Sequence, residues 1–188
     1  MKGKDEEKMK KYFKKGFALL LAAILCLTVF TACGKDEAPE TPEAVKGEVF
    51  ETEMLSALAP DGWKAFQGAD SFDEYEGDYD PTTLNIIKGG ESDWDMFTKP
   101  YVQVKYYPDS QMYVAKDWYD DVVDLEPMQL GGYTWNAFTG SSFDYPVAVL
   151  WTDGDVQIQI TVMLEVEGNK ISLDDMDVQA IIESVKIK

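Results

Sequence analysis

The sequence predicts an α+β domain, in which an antiparallel β-sheet is flanked by two main helices. Apolar and polar side chains alternate over several short segments, a pattern typical of half-buried strands. Two of these segments are separated by Asp153-Gly154, a dipeptide that favours a tight hairpin turn. Two other segments, near residues 114–124 and 172–185, repeat their apolar residues every three or four positions, as helices do.

The hairpin around Asp153-Gly154 is the clearest of these elements. Residues 146–152 form its first strand and residues 155–165 its second. A two-residue loop would pair Thr152 with Asp155, and Val149 would then lie opposite Ile158. This register places apolar residues of both strands on one face, so the hairpin is expected to cover a core.

The remaining elements follow from shorter patterns. Strands are expected at residues 101–107 and 133–139, with shorter ones at 84–88 and 50–58. In the first helix the apolar residues at a spacing of four are Val114, Trp118 and Val122. The second helix would be capped by Ser172, and its apolar face is Val178, Ile181, Ile182 and Val185. Residues 186–188 would then return to the edge of the sheet.

The first 32 residues have the pattern of a secretory signal. A lysine-rich start precedes Phe17–Phe30, an apolar run of 14 residues that is shorter than the ~20 residues needed to span a bilayer. Phe30-Thr31-Ala32-Cys33 follows and resembles the lipobox of bacterial lipoproteins. The resemblance implies that Cys33 is lipidated and becomes the first residue of the mature chain.

Three regions are therefore predicted: a lipoprotein signal peptide at 1–32, the lipidated Cys33 with an acidic, proline-containing tether at 33–47, and a single domain at 48–188. The tether contains Pro39 and Pro42 and lacks the apolar residues needed to order itself. Two acyl chains would hold the protein stably on the membrane. We expect it at the extracytoplasmic face of the cell membrane, in a Gram-positive bacterium.

The composition excludes several classes of function. The chain has 35 acidic residues against 17 lysines, a net charge of −18, and it contains neither histidine nor arginine. Such a charge would repel nucleic acid, so no nucleic-acid partner is expected. Histidine-based catalysis and histidine-ligated metals are excluded, and Thr139, Ser141 and Ser142 have no histidine to act as their base. We expect no enzyme; a glycan-active enzyme that uses a carboxylate pair is the remaining catalytic alternative.

Two stretches carry a family resemblance. Pro60-Asp61-Gly62-Trp63 and the C-terminal DMDVQAIIESVKI at 175–187 resemble motifs of the PsbP-like superfamily. The resemblance implies a PsbP-like α/β/α sandwich around an antiparallel sheet, and a non-catalytic accessory or binding domain. The chain is thus predicted to be a surface lipoprotein whose domain binds an extracytoplasmic protein or small ligand.

A dense acidic cluster is the candidate metal site. Clustered carboxylates are suitable ligands for calcium, although no EF-hand spacing is present. A calcium-responsive module is therefore the alternative function, with calcium as the candidate cofactor, and a solvated acidic loop is the simpler explanation. The cluster comprises Asp70, Asp73, Glu74, Glu76, Asp78 and Asp80.

The five tryptophans are the candidate aromatic binding residues. Trp118 and Trp151 lie on apolar stripes and are expected in the core, as are Trp63 and Trp135. Trp94 stands between Asp93 and Asp95 and is therefore expected to be exposed. An exposed tryptophan can stack on a sugar or anchor a protein partner, so Trp94 is the predicted binding aromatic.

Overall fold

A computed structural model describes residues 44–71, 74, 77–109 and 112–188. Residues 44–188 form one compact unit with its own hydrophobic core. Its first strand begins at Gly47. The predicted signal peptide, Cys33 and residues 33–43 of the tether lie outside the described residues. Within the described part of the chain, no helix is long and apolar enough to cross a membrane.

A seven-stranded sheet, antiparallel at every pairing, dominates the domain. Its strand order is β3-β4-β5-β9-β8-β7-β6. Most neighbours in the sheet are consecutive in the chain, and short loops join β6 to β7, β7 to β8 and β8 to β9. The strands are β3 (Trp63–Ala69), β4 (Tyr79–Lys88), β5 (Tyr101–Tyr107), β6 (Asp120–Leu130), β7 (Tyr133–Ser142), β8 (Tyr145–Thr152) and β9 (Gln157–Met163).

A small sheet and one α-helix pack on one face of the large sheet and form the main core with it. The small sheet has the order β1-β2-β12, and a separate hairpin joins β10 to β11. Alternate side chains of the central strands, such as Val102, Ile160 and Leu150, enter this core together with Ile181 of the helix. These elements are β1 (Gly47–Glu51), β2 (Leu55–Pro60), β10 (Glu165–Val166), β11 (Asn169–Lys170), α1 (Met176–Ser184) and β12 (Lys186–Ile187).

The opposite face of the large sheet is covered over only part of its area. Phe138, Val147 and Val149 form a second, smaller buried cluster there. Val114 and Tyr119, from the segment that leads into β6, pack against this cluster. The part of this face formed by β4 and β5 carries polar side chains instead, and the candidate site lies there.

The predicted fold class is wrong. Strands occupy 55% of the structure and helical residues 12%, and α1 is the one α-helix among the described residues. This is a mainly β domain, and the two-helix α/β/α sandwich that the family resemblance implied is not formed. The helix expected at 114–124 is replaced by a 3-10 turn at Lys116–Trp118 and the start of β6.

Local sequence explains the loss of that helix. The β-branched pair Val122-Val123 favours a strand, and Pro127 removes a backbone donor in the stretch that continues from it. Register shifts at two places in the β6–β7 pairing disturb the alternation by which the strand could be recognised. Trp118, expected in the core, is 81% exposed.

The β8–β9 hairpin exists, but its predicted register is wrong by three residues. Val149 lies opposite Thr161, and Leu150 opposite Ile160. The loop is longer than two residues because Thr152 closes it: its Oγ1 donates to the Val156 carbonyl at 2.7 Å and accepts from the Ile158 amide at 2.9 Å. An odd shift exchanges the faces of β8 relative to β9, so Leu150 rather than Val149 joins the main core.

The C-terminal helix is confirmed. Val178, Ile181 and Ile182 are buried, and the chain then returns through β12 to pair with β2. The N-cap position is Asp175 rather than Ser172. Ser172 instead accepts a hydrogen bond from the Asp174 amide in the turn before the helix.

Candidate functional site

A pair of amide side chains forms the floor of the site. Leu84 and Ile86 of β4 enter the main core, so Asn85 between them faces the opposite side of the sheet. Gln103 of β5 lies directly across from Asn85, and its Nε2 donates to Asn85 Oδ1 at 2.9 Å. Asn85 is 6% exposed. The polar pair is thus fixed in position by the strand register.

Each amide of this pair keeps one hydrogen-bonding group unused. Among the described residues, Asn85 Nδ2 and Gln103 Oε1 have no hydrogen-bond partner. Exchanging the oxygen and nitrogen of both amides would again leave one donor and one acceptor. No buried side-chain nitrogen or oxygen lacks a partner in the described structure, so these two groups reach solvent. The pair therefore offers a donor and an acceptor side by side.

A 3-10 turn at Asp93–Phe97 carries two exposed aromatic rings beside this floor. Trp94 is 72% exposed and Phe97 is 66% exposed. Their ring centroids are 5.9 Å apart, and the rings are tilted by 33°. Neither ring is buried in a core, so both side chains are largely accessible to a ligand.

Asp95 holds this turn in place. Its Oδ2 accepts hydrogen bonds from the Glu91 and Ser92 amides at 2.7 and 3.2 Å, and from Lys99 Nζ at 3.3 Å. The hydrogen bonds from the backbone N–H groups of Glu91 and Ser92 hold the pKa of Asp95 below its usual value, and Lys99 lowers it further. The carboxylate therefore stays ionised and continues to fix the turn at neutral pH.

The floor and the turn enclose a cleft of about 370 Å³. This volume lies in the range of small-ligand sites. Within the described part of the chain, Asp93 is the one charged residue that lines it. The lining residues are Gln67, Gly68, Ala69, Ser71, Thr83, Asn85, Asp93, Trp94, Met96, Phe97 and Gln103.

The predicted acidic cluster is not brought together as a metal site by the residues described. Asp78 is exposed and Asp70 half-buried, and the Asp70 amide donates to the Asp78 carbonyl at 3.1 Å. Glu74 is exposed, while Asp73 and Glu76 lie outside the described residues. No group of three or more potential metal ligands is found among the described side chains. Calcium binding by this segment stays a prediction.

Asp80 has a structural role instead. It is 7% exposed, and its carboxylate accepts from Thr82 Oγ1 at 2.6 Å, from Thr83 Oγ1 at 2.8 Å and from Lys105 Nζ at 2.9 Å. Burial alone would raise the pKa of Asp80, but the bonds from Thr82, Lys105 and Thr83 outweigh it and lower the pKa. Both carboxylate oxygens are thus engaged within the sheet.

Asp80→Asn is expected to lower the free energy of unfolding at pH 7 by about 1.5–3 kcal/mol, as for hydrogen bonds to charged groups. Because the folded-state pKa is depressed, this stabilisation is present above the unfolded pKa of about 4 and is lost as pH falls through the lower folded value. In urea unfolding at pH values from 7 downwards, the free energies of unfolding of the variant and the wild type should converge. Asp78→Asn is the exposed control, and a loss at Asp80 that does not change with pH would contradict this explanation.

The other tryptophans occupy varied environments. Trp135 is fully buried and Trp63 is 8% exposed, as expected. Trp151 is partly buried and packs against the Phe138 cluster. The expected exposure of Trp94 is confirmed, and its binding role stays a prediction.

Sequence reasoning did not identify the partners of Trp94 in the cleft. Phe97 follows Trp94 by three residues, and this spacing places the two rings near each other in a single helical turn. Asn85 and Gln103 meet across two strands that the sequence predicts but does not pair. Locating them required the β4–β5 register, which local patterns do not provide.

Comparison with known proteins gives little further information. No protein-family model matches the chain, and no curated protein matches it. A crystal structure of a protein from Bacteroides thetaiotaomicron VPI-5482 is similar over 76% of this chain, with 9% sequence identity and a TM-score of 0.42. The chain spans about half, 48%, of the length of that protein.

Proposed function

We propose that this protein is a lipid-anchored surface protein whose domain binds an extracytoplasmic ligand or partner without catalysis. The lipobox-like segment ending at Cys33 would supply the anchor, and the cleft beside Trp94 would supply the binding site. The observation that carries the proposal is the pair of exposed rings, Trp94 and Phe97, that line the same cleft as the amides of Asn85 and Gln103. Exposed aromatic side chains next to directional polar groups are typical of recognition sites.

The chemistry of the cleft supports binding rather than catalysis. The sequence contains no histidine or arginine, and apart from Asp93 the polar side chains that line the cleft carry amides and hydroxyls. Glycoside hydrolysis needs two carboxyl groups that flank the scissile bond. Within the described residues, Asp93 is the single carboxylate that lines the cleft. Neither a nucleophile–base pair nor a carboxylate pair is therefore assembled from these lining residues.

The anchor is tested by labelling the full chain with a fatty acid in a bacterium that carries the lipoprotein pathway. Cys33→Ala should reduce the label to background, because Cys33 is the predicted attachment residue. Cys26→Ala is the matched control and should keep the label, since Cys26 lies within the apolar part of the signal. A Cys33→Ala protein that remains fully labelled would refute the anchor.

The binding site is tested by retention of the full chain, purified in detergent, on envelope fractions of the source bacterium from which its own gene has been removed. The double variant Trp94→Ala, Phe97→Ala should be retained at least about tenfold less, the loss expected for a binding hot spot. Trp118→Ala is the matched control, because Trp118 is 81% exposed and does not line the cleft. Retention of the double variant at the wild-type level would contradict the proposed site.

A further inference from the structure

We propose that the ligand of this cleft is an uncharged glycan, with one sugar ring stacked on Trp94 and its hydroxyl groups bonded to Asn85 and Gln103. This inference rests on the proposed function and names the class of ligand. It follows from three independent properties of the cleft: its unused hydrogen-bonding groups, its exposed rings and its charge.

The amide pair is complementary to a hydroxyl group. A hydroxyl both donates and accepts, and Asn85 and Gln103 leave one donor and one acceptor next to each other. The half-buried Gln67, which also lines the cleft, has no side-chain hydrogen bond among the described residues. A purely apolar ligand would bury these groups unpaired, which is unfavourable. The floor therefore favours a ligand rich in hydroxyls.

The wall of the cleft is suited to a ring. Trp94 and Phe97 line the cleft, and most of the surface of both side chains is exposed. A sugar has an apolar C–H face and hydroxyl groups around its rim, so one ring can contact an aromatic face and the amides together. No other exposed tryptophan of the domain lines this cleft.

The charge of the site selects against acidic ligands. Asp93 is the one charged residue around the cleft within the described chain, and the whole protein has a net charge of −18. The nearby Lys99 contacts Asp95 and the Gly89 carbonyl, and Lys105 pairs with Asp80. Because both lysines already bind groups of the protein, phosphorylated or uronic ligands would meet uncompensated negative charge.

A second cleft of about 320 Å³ adjoins the first, because Met96 and Phe97 line both. Phe143 and Tyr145 line its far side, and Phe143 is 92% exposed at the turn between β7 and β8. Phe143 has a φ of 51°, a left-handed conformation that a bulky side chain rarely adopts. Asp144 also has a positive φ, 68°, as a two-residue hairpin turn requires, so the turn explains this conformation. Phe143 contributes to the second cleft through its exposed ring.

No charged residue is found among the described residues that line the second cleft. Burial raises the pKa of Tyr101, and the neighbouring Tyr119 raises it further, so the Tyr101 hydroxyl is protonated at neutral pH. Phe97 would then separate two ring-binding positions, and a chain of several sugars would occupy both clefts. The glycan is thus expected to be an oligosaccharide rather than a single sugar.

The test titrates the full chain, in a sugar-free zwitterionic detergent, with chitohexaose, cellohexaose, mannohexaose and maltohexaose by calorimetry. At least one of these uncharged hexasaccharides should bind, and a galacturonate hexamer should not. Trp94→Ala and Gln103→Ala should each weaken binding by about tenfold, and Trp118→Ala by less than about twofold. Phe143→Ala should weaken binding of the hexasaccharide and leave the matching disaccharide unaffected.

The outcomes separate this inference from the proposed function. If none of the four hexasaccharides binds, or if Trp94→Ala binds as tightly as wild type, the glycan assignment is overturned. If envelope retention still depends on Trp94 and Phe97 in that case, the proposed function stands and the ligand belongs to another chemical class. If envelope retention is independent of both rings, the proposed site fails as well.

Discussion

Replacing Trp135 with alanine is expected to lower the free energy of unfolding by about 3–5 kcal/mol. Trp135 is fully buried in the main core on β7. Its Nε1 donates to the Leu130 carbonyl at 3.0 Å, and its ring contacts Tyr133 with centroids 5.6 Å apart. The substitution therefore removes a large packed ring, leaves a cavity and frees a backbone acceptor.

Urea unfolding measures the loss of stability in Trp135→Ala, and Trp118→Ala is the control. Trp118 is 81% exposed, so its replacement should change stability by about 0.5 kcal/mol or less. A loss at Trp118 as large as that at Trp135 would contradict the described fold. It would instead support a helix at 114–124 with Trp118 in the core.

Replacing Gly131 with alanine is expected to lower the free energy of unfolding by about 2–4 kcal/mol, because backbone strain and overpacking act together. Gly131 lies in the turn between β6 and β7 with a φ of 61°. A Cβ atom there would come within 2.8 Å of Glu183 Cα, near the end of α1. The helix or the turn would have to move, and the helix is part of the main core.

Gly132→Ala is a closely matched control for this change. Gly132 also has a positive φ, 86°, but a Cβ atom at this position has no neighbour within 4 Å. It should therefore cost only the backbone strain, about 1 kcal/mol. Chemical unfolding of both variants measures the difference, and equal losses would show that the turn does not pack closely against α1.

The sequence predicted elements whose signals are local. The alternation of residues 101–107 predicts β5, and the apolar face of Val178, Ile181 and Ile182 predicts α1. In both segments the apolar residues repeat with one clear period and few polar residues interrupt the pattern. The fold class was wrong because the second helix rested on the spacing of Val114, Trp118 and Val122, which a turn followed by a bulged strand accommodates equally well.

Registers and long-range contacts could not be predicted from the sequence. The β8–β9 register depends on the Thr152 side chain, which extends the loop beyond the two residues that Asp153-Gly154 favours. The approach of Gly131 to Glu183 joins positions far apart in the chain. Such contacts are decided by packing of the whole domain rather than by local propensity.

The candidate site could be predicted only in part, because it too depends on both local signals and strand register. The acidic neighbours of Trp94 correctly predict that this residue is exposed. The amide floor was missed because Asn85 and Gln103 become a pair only through the β4–β5 register. Asp80, grouped with the acidic loop by sequence, is drawn into the sheet by Thr82, Thr83 and Lys105.

We propose that ligand binding takes place at Trp94. To test this, the tryptophan indole groups of the full chain are labelled with ¹⁵N, and their resonances are recorded while solubilised envelope material of the source bacterium is added. All five tryptophans of the sequence lie in the described domain, and single Trp→Phe variants assign their signals. We predict that the Trp94 resonance shifts on addition, while those of Trp118 and the buried Trp135 stay in place. A shift at Trp118 with none at Trp94, or unchanged resonances throughout, would show that binding does not take place at Trp94.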